Sequence, residues 1–248
     1  MSRLFHLPAV LALSVLLCAP ARASEEKAAF IEANILSIFY HELGHAVIDL
    51  MDVPIFGQEE DAADVMAVLL IDWLYEEETA QAIAYDSAFG YINDPEQTEE
   101  VPYWDLHGPD EQRFYNHVCL FYGANPEERE ELAADLGLPD ERAETCPEEY
   151  DQATASWGMI FDEMDAAKTG VPMRLDTGSG ADGGMLTDLL TTEIAALNGD
   201  MKLPQELLVR VESCGEANAF YDPEEISIIF CTEFIPHLQD LFDRQTVD

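Results

Sequence analysis

The chain has 248 residues, 48% of them hydrophobic, enough for one domain with a sizeable core. Lys and Arg number 11 against 51 Asp and Glu, a formal charge of −40, which argues against nucleic acid and against an anionic membrane as partners. The charge reads as a solvated acidic surface suited to an extracytoplasmic medium; such a surface can also steer a cationic substrate, but no local pattern in the sequence argues for that.

Residues 1–23 have the pattern of a secretory signal peptide. Arg3 precedes an apolar stretch, Leu7–Pro20, and Ala21-Arg22-Ala23 forms an A-x-A site before Ser24. The stretch is too short to span a bilayer. Cleavage at a lipid-modified Cys18 is the weaker reading, because Leu17 stands where a small residue is expected. The expected mature protein, residues 24–248, is one domain, secreted or periplasmic, with no membrane association after signal removal.

Apolar residues at three-to-four spacing (Ile31, Ile35, Ile38, Leu43, Val47) predict a helix over 26–50. Pro54 and Gly57 mark a loop. The next segment begins with acids and turns apolar, as a helix does when carboxylates favour its N-terminus. A third helix is predicted over 79–92, then a polar loop over about 93–109. Pro109-Asp110-Glu111 opens a helix to about Tyr122, with Asp110 as N-cap. Helices over 126–137 and 147–168 follow, the latter with Trp157 and Met159 as expected core. DTGSGADGG (176–184), with four glycines, is the clearest linker. A helix over 185–197 and two strands, Glu206–Cys214 and Ile226–Cys231, complete the chain, with Asp222-Pro223 as a turn. The expected fold class is α+β, mainly α-helical, with a small sheet from the C-terminal segment.

DTGS (176–179) also matches the aspartic-protease signature. Those enzymes need two facing aspartates on β-rich lobes; a single copy in a glycine linker does not supply them. Once Cys18 is removed, Cys119, Cys146, Cys214 and Cys231 remain. An even count in an oxidising compartment suggests two disulfides. Of the three connectivities, the local pairs Cys119–Cys146 and Cys214–Cys231 are favoured. No C-x-x-C pair suggests zinc on these cysteines.

The chemistry lies in FYHELGHAVIDL (39–50). On a helix His41 and His45 share a face, so both imidazoles can meet one metal ion. Zinc with three protein ligands and one open position lowers the pKa of its bound water, and Glu42 would take that water's proton as it attacks a peptide carbonyl. Gly44 would let a neighbouring segment approach closely. H-E-x-x-H recurs by chance, so a third ligand matters. Glu59 and Glu60 lie 14 and 15 residues beyond His45, followed by Asp61 and Asp64. Glu60 and Asp64 share a helical face. Glu60 is the preferred ligand, with Asp64 accepting a hydrogen bond from a ligand imidazole; Glu59 or Asp64 as ligand stays open.

HELGH followed by E-x-x-x-D resembles the gluzincin pattern of thermolysin-like peptidases. HELGHAVIDL, PIFGQEEDAAD, DLHGPDEQRFYNHVCLFYG, RAETCPEEY and CGEANAFYDPEEISIIFCTE together resemble a bacterial family described as putative metallopeptidases of unknown function. The resemblance covers most of the mature chain. It implies a zincin-like fold, one zinc ion on His41, His45 and Glu60, Glu42 as general base, and a peptide or protein substrate. One feature departs from zincins generally, in which the sheet precedes the active-site helix: here Asn218–Cys231 comes late. A circular permutation would explain this, with residues 186–248 folding back beside the HELGH helix and 176–184 joining the old termini.

The block DLHGPDEQRFYNHVC holds further polar chemistry. A donor is needed for the oxyanion formed on attack. His107, Arg113, Tyr103 and Tyr115 are candidates, His107 first. Arg113 is expected instead to pair with an acid such as Asp105 or Asp110. His117 and His237 read as surface or core histidines. The alternative to an enzyme is a catalytically inactive zinc-binding or protein-interaction module of the same fold; the intact Glu42 favours the enzyme.

Overall fold

The computed structural model describes residues 19–92, 101, 103–165, 169–177 and 184–245, and the side chains from Arg22 onward. Residues 1–18 of the expected signal segment, residues 93–100 and 102 of the expected 93–109 loop and residues 178–183 of the glycine run lie outside the described residues.

Helix α1 (Ala19–Leu50) is the axis of the molecule. It is apolar nearly all round, with Phe30, Ile35, Phe39, Tyr40, Leu43 and Val47 all buried. Such a helix belongs between layers rather than at a surface. Helices α2 (Glu59–Leu74) and α3 (Glu77–Ile92) pack on it. Behind them lie α4 (Asp110–Ala124), α5 (Pro126–Asp135), the single turn α6 (Asp140–Ala143) and α7 (Cys146–Met164).

The other side of α1 meets a four-stranded sheet and α9 (Phe234–Gln245). Strands β1 (Arg174–Asp176), β2 (Leu208–Glu212), β3 (Ala219–Asp222) and β4 (Ser227–Cys231) run in the order β1-β2-β4-β3. β1, β2 and β4 are parallel, with α8 (Met185–Asp200) as the crossover between β1 and β2. β3 pairs antiparallel to β4 and forms one edge. Every residue of β4 is buried, as a central strand covered on both faces requires. Phe230 on β4 meets Phe39 on α1, ring centroids 6.3 Å apart, and Phe242 on α9 meets Phe30 at 5.6 Å. The C-terminal segment is thus packed directly against the HELGH helix.

The mainly helical fold with a small mixed sheet agrees with expectation; several details differ. β1 and β3 add to the two expected strands. β1 is only three residues long and β3 four, too short to stand out against turn-forming neighbours. Met159 is not core: it is 66% exposed, while Trp157 is buried. Two residues apart on a helix is roughly 200° of rotation, so the two cannot share a face. Asp110 is the first helical residue rather than the N-cap. The amides of Gln112 and Arg113 donate to the Pro109 carbonyl, because Pro109 holds the extended backbone that the cap position requires.

Two disulfides form, Cys119–Cys146 between α4 and α7, and Cys214–Cys231 between the segment after β2 and the end of β4. Among the described residues no helix is long and apolar enough to cross a membrane.

Candidate metal centre

The site is built where α1 crosses α2. The crossing is tight at one point: a Cβ on Gly44 would stand 2.9 Å from the Ala63 Cα, so only hydrogen fits there. This close approach brings the HELGH face of α1 onto the first two turns of α2. The rotation of α1 is pinned from behind, since the buried Tyr40 hydroxyl donates to Glu193 on α8 at 2.7 Å.

The ligand set expected from the sequence converges. His41 Nε2 and His45 Nε2 are 3.2 Å apart, and each is 3.2 Å from Glu60 Oε2. His41 is buried and the other two are partly buried. The outer nitrogens are both committed. His41 Nδ1 lies 2.8 Å from Asp64 Oδ1, and His45 Nδ1 lies 2.8 Å from Glu59 Oε1. An ionised carboxylate only accepts, so each Nδ1 carries the hydrogen, and a neutral ring then presents a lone pair at Nε2. With both rings neutral, three lone-pair atoms face one another, an arrangement that a cation, or a proton in its place, must relieve. Ligand atoms around a tetrahedral zinc are about 3.3 Å apart, given bonds of about 2.0–2.1 Å. The triangle fits that ion, and the residues His41, His45 and Glu60 could hold it.

Electrostatics agree with a cluster that demands a cation. Burial alone would lower the pKa of His41, but hydrogen bonds to Asp64 and Glu60 outweigh it and push it up to about 9. Burial would likewise lower His45, and Glu60 and Glu59 raise it instead. For Glu60 the burial penalty is overcome by His107, His41 and His45, which hold its carboxyl far below the usual range.

Glu42 is buried on the same face of α1, and burial raises its pKa above that of an ordinary carboxylate. The Tyr221 amide on the β3 edge donates to it. Tyr221 also ties β3 to α1, its hydroxyl donating to Asp49 at 2.7 Å. The sheet thus reaches the HELGH face through both ends of one residue, a contact that no sequence spacing announces.

His107 stands beside the triangle, its Nε2 2.9 Å from Glu60 Oε2 and its ring stacked on His41 with centroids 6.2 Å apart. Arg113 takes Asp64 as its bidentate partner, Nε to Oδ2 and Nη2 to Oδ1, both at 2.8 Å; the acids expected from sequence proximity were Asp105 and Asp110. The difference arises because the 103–110 loop wraps over the start of α2, which brings Asp64 within reach of α4. Tyr91 completes the setting: its hydroxyl donates to Asp64 and its ring lies 4.9 Å from the guanidinium. Tyr103 and Tyr115 do not line the site. His117 is a core histidine, bonded through Nε2 to the Ala84 carbonyl at 3.0 Å. His237, by contrast, lines the cleft.

All of this opens into a cleft of about 1290 Å³ that runs along α1 between the start of α2, the 106–113 segment, β3 and α9. A family model described as "Putative metallopeptidase" matches residues 16–161 and 184–248, passing over the segment that contains β1 and the glycine run. No curated protein and no solved structure gives a significant match.

Proposed function

We propose, from the premise that the chain belongs to the putative metallopeptidase family, that it is an exported zinc-dependent peptidase. The observation that carries this reading is the 3.2 Å triangle of His41 Nε2, His45 Nε2 and Glu60 Oε2 beside a buried glutamate. When bound, zinc would supply Lewis-acid polarisation and an acidified water. The protein's own groups account for the rest. Glu42, with its raised pKa and its position one residue from His41, is suited to take a proton from the attacking water and pass it to the leaving amine. His107 is suited to donate to the oxyanion, once Glu60 Oε2 is engaged elsewhere. Asp64 and Glu59 hold the two imidazoles in the tautomer that leaves Nε2 free to ligate. The β3 edge supports a peptide substrate, because an extended chain laid beside Tyr221 would pass the Glu42 face.

Residues 24–248 form one zincin-like domain in this reading, with 186–248 supplying the sheet beside the HELGH helix as a circular permutation requires. The packing of Phe230 on Phe39 supports that assignment. The two disulfides support a secreted or periplasmic location.

Elemental analysis of purified protein, wild type beside His45→Ala, is the first test. About one zinc per chain, lost in the variant, is expected. Glu42→Gln should keep the zinc while losing hydrolysis by a factor of about 10²–10⁴. Absence of metal from the wild type after zinc is added back would overturn the reading in favour of a binding module.

A further inference from the structure

The cleft has a rim that the proposed reaction does not use. Phe56 is 100% exposed and immediately precedes Gly57, a cleft-lining residue. In the loop before α4, Tyr103, Trp104 and Leu106 are 84%, 85% and 74% exposed, and Leu106 itself lines the cleft. Both segments border the metal triangle, Phe56 four residues before Glu60 and Leu106 one before His107. Leu106 lines the cleft itself, and Phe56, Tyr103 and Trp104 stand within three residues of cleft-lining positions, so four large apolar side chains are held in water along the two segments that border it, more than scattered exposure supplies.

The occupant follows from charge. Among the described lining residues the acids are Glu42, Asp49, Asp52, Glu59, Glu60 and Asp110, and no lysine lines the cleft. Its arginine, Arg113, is already held by Asp64. Asp49 and Asp52 stand at the C-terminal end of α1, where the helix dipole is itself negative and no basic residue occupies the last turn. Asp52 holds a left-handed backbone, φ 50°, at this point. That conformation closes the helix, the Val53 amide donating to the Ile48 carbonyl at 2.9 Å, and it leaves the two carboxylates beside each other on the cleft wall. Away from the histidines of the triangle, the cleft lining therefore carries an excess of acids over bases, within a chain of charge −40.

We infer that the substrate is a cationic peptide bearing bulky apolar side chains, its apolar groups on the Phe56 and Tyr103–Leu106 rim and its basic groups toward the C-terminal end of α1. The inference rests on the peptidase reading for its location but not for its test. Aromatic rims suit such a peptide twice, by apolar contact and by cation–π attraction. Acidic peptides are repelled by the same excess of acids, and the repulsion is screened by salt.

The test is binding without turnover. Dye-labelled peptides of about ten residues, one of alternating Arg and Phe, one of Glu and Phe, one of Arg and Ser, are titrated into the full exported chain carrying Glu42→Gln. The Arg/Phe peptide should bind at least about tenfold more tightly than either of the others at low salt, with the advantage over Glu/Phe shrinking at high salt. Phe56→Ser with Trp104→Ser should weaken Arg/Phe binding about fivefold with Tm unchanged, since both side chains are in water. Equal binding of the Glu/Phe peptide, or no loss in the double variant, overturns the inference. So does capture of the chain by zwitterionic phosphatidylcholine vesicles through the same two residues without discrimination among the peptides. If wild type hydrolyses no peptide yet Glu42→Gln shows this pattern, the peptidase reading fails alone. If wild type cleaves acidic and basic peptides equally well, the inference fails alone.

Discussion

Arg113 grips Asp64 through two hydrogen bonds of 2.8 Å, and the Asp64 oxygen that meets Arg113 Nη2 also accepts from His41 Nδ1 at 2.8 Å. The guanidinium lies on α4, two bonds removed from the metal triangle, yet it fixes the carboxylate that fixes the imidazole. Together Arg113 and His41 overcome the burial penalty and hold the Asp64 carboxyl well below its usual range.

Arg113 should therefore behave as a positioning residue. Arg113→Met is expected to weaken zinc binding by about 10–100-fold, read by competition with a chelator, because Asp64 loses its orientation. Arg113→Lys restores the charge but not the fork, so partial recovery is expected. If Arg113→Met loses thermal stability but keeps zinc affinity, the residue only holds the 103–110 loop.

Gly44 should not tolerate a side chain. Alanine gains up to about 1 kcal/mol of helix propensity, but its Cβ would sit 2.9 Å from backbone of α2. Overpacking of this kind costs about 1–3 kcal/mol, and the crossing carries the ligands on both its helices. Gly44→Ala is thus expected to lower stability in urea and to weaken zinc binding together. A variant that keeps zinc affinity would show that the two helices can part without moving the triangle.

Asp86 gives a stability signal that can be separated from the metal. Burial raises its pKa from 3.8 to about 6. Its folded value lies above its unfolded value, so its contribution to stability is complete below pH 3.8 and lost as pH rises through about 6. At pH 7 the ionised, half-buried group then costs about 1–2 kcal/mol, discounted for its partial exposure. Asp86→Asn should raise Tm near neutrality, and its advantage should vanish below pH 4. An advantage independent of pH would assign the effect to something other than burial of charge.

Removing Cys119–Cys146, whose residues are 27 apart in sequence, should cost about 3 kcal/mol through the freed unfolded chain. The bond joins α4 to α7 away from the triangle, so zinc stoichiometry at low temperature should not change. Loss of zinc in the folded, reduced protein would mean that α4, and Arg113 with it, depends on the bond for its position.

Much of the site was legible in the chain. The i, i+4 spacing of His41 and His45 and of Glu60 and Asp64 places each pair on one helical face, whatever the rest of the fold does. The partners of Arg113 and Glu42 were not legible. Arg113 meets an acid 49 residues away, and Glu42 meets an amide on β3, because both contacts depend on how whole elements pack. Glu59 was an open alternative to Glu60; only the angle between α1 and α2 sends one carboxylate to the triangle and the other to His45 Nδ1. The exposed rim was hidden for another reason: Phe56, Trp104 and Leu106 fall in segments read as loops, and spacing within a loop does not tell which apolar side chains stay in water.

The sequence by itself determined most element types, the mainly helical fold class and the short set of candidate ligands, with Glu59, Glu60 and Asp64 left as alternatives, because local periodicity and side-chain chemistry act over a few residues. Only the tertiary structure decided which carboxylate faces which imidazole, how the late sheet reaches the early helix, and which apolar groups stay in water. Those are matters of crossing angle and close approach, here turned on the absence of a Cβ at Gly44, and short-range spacing carries no information about them.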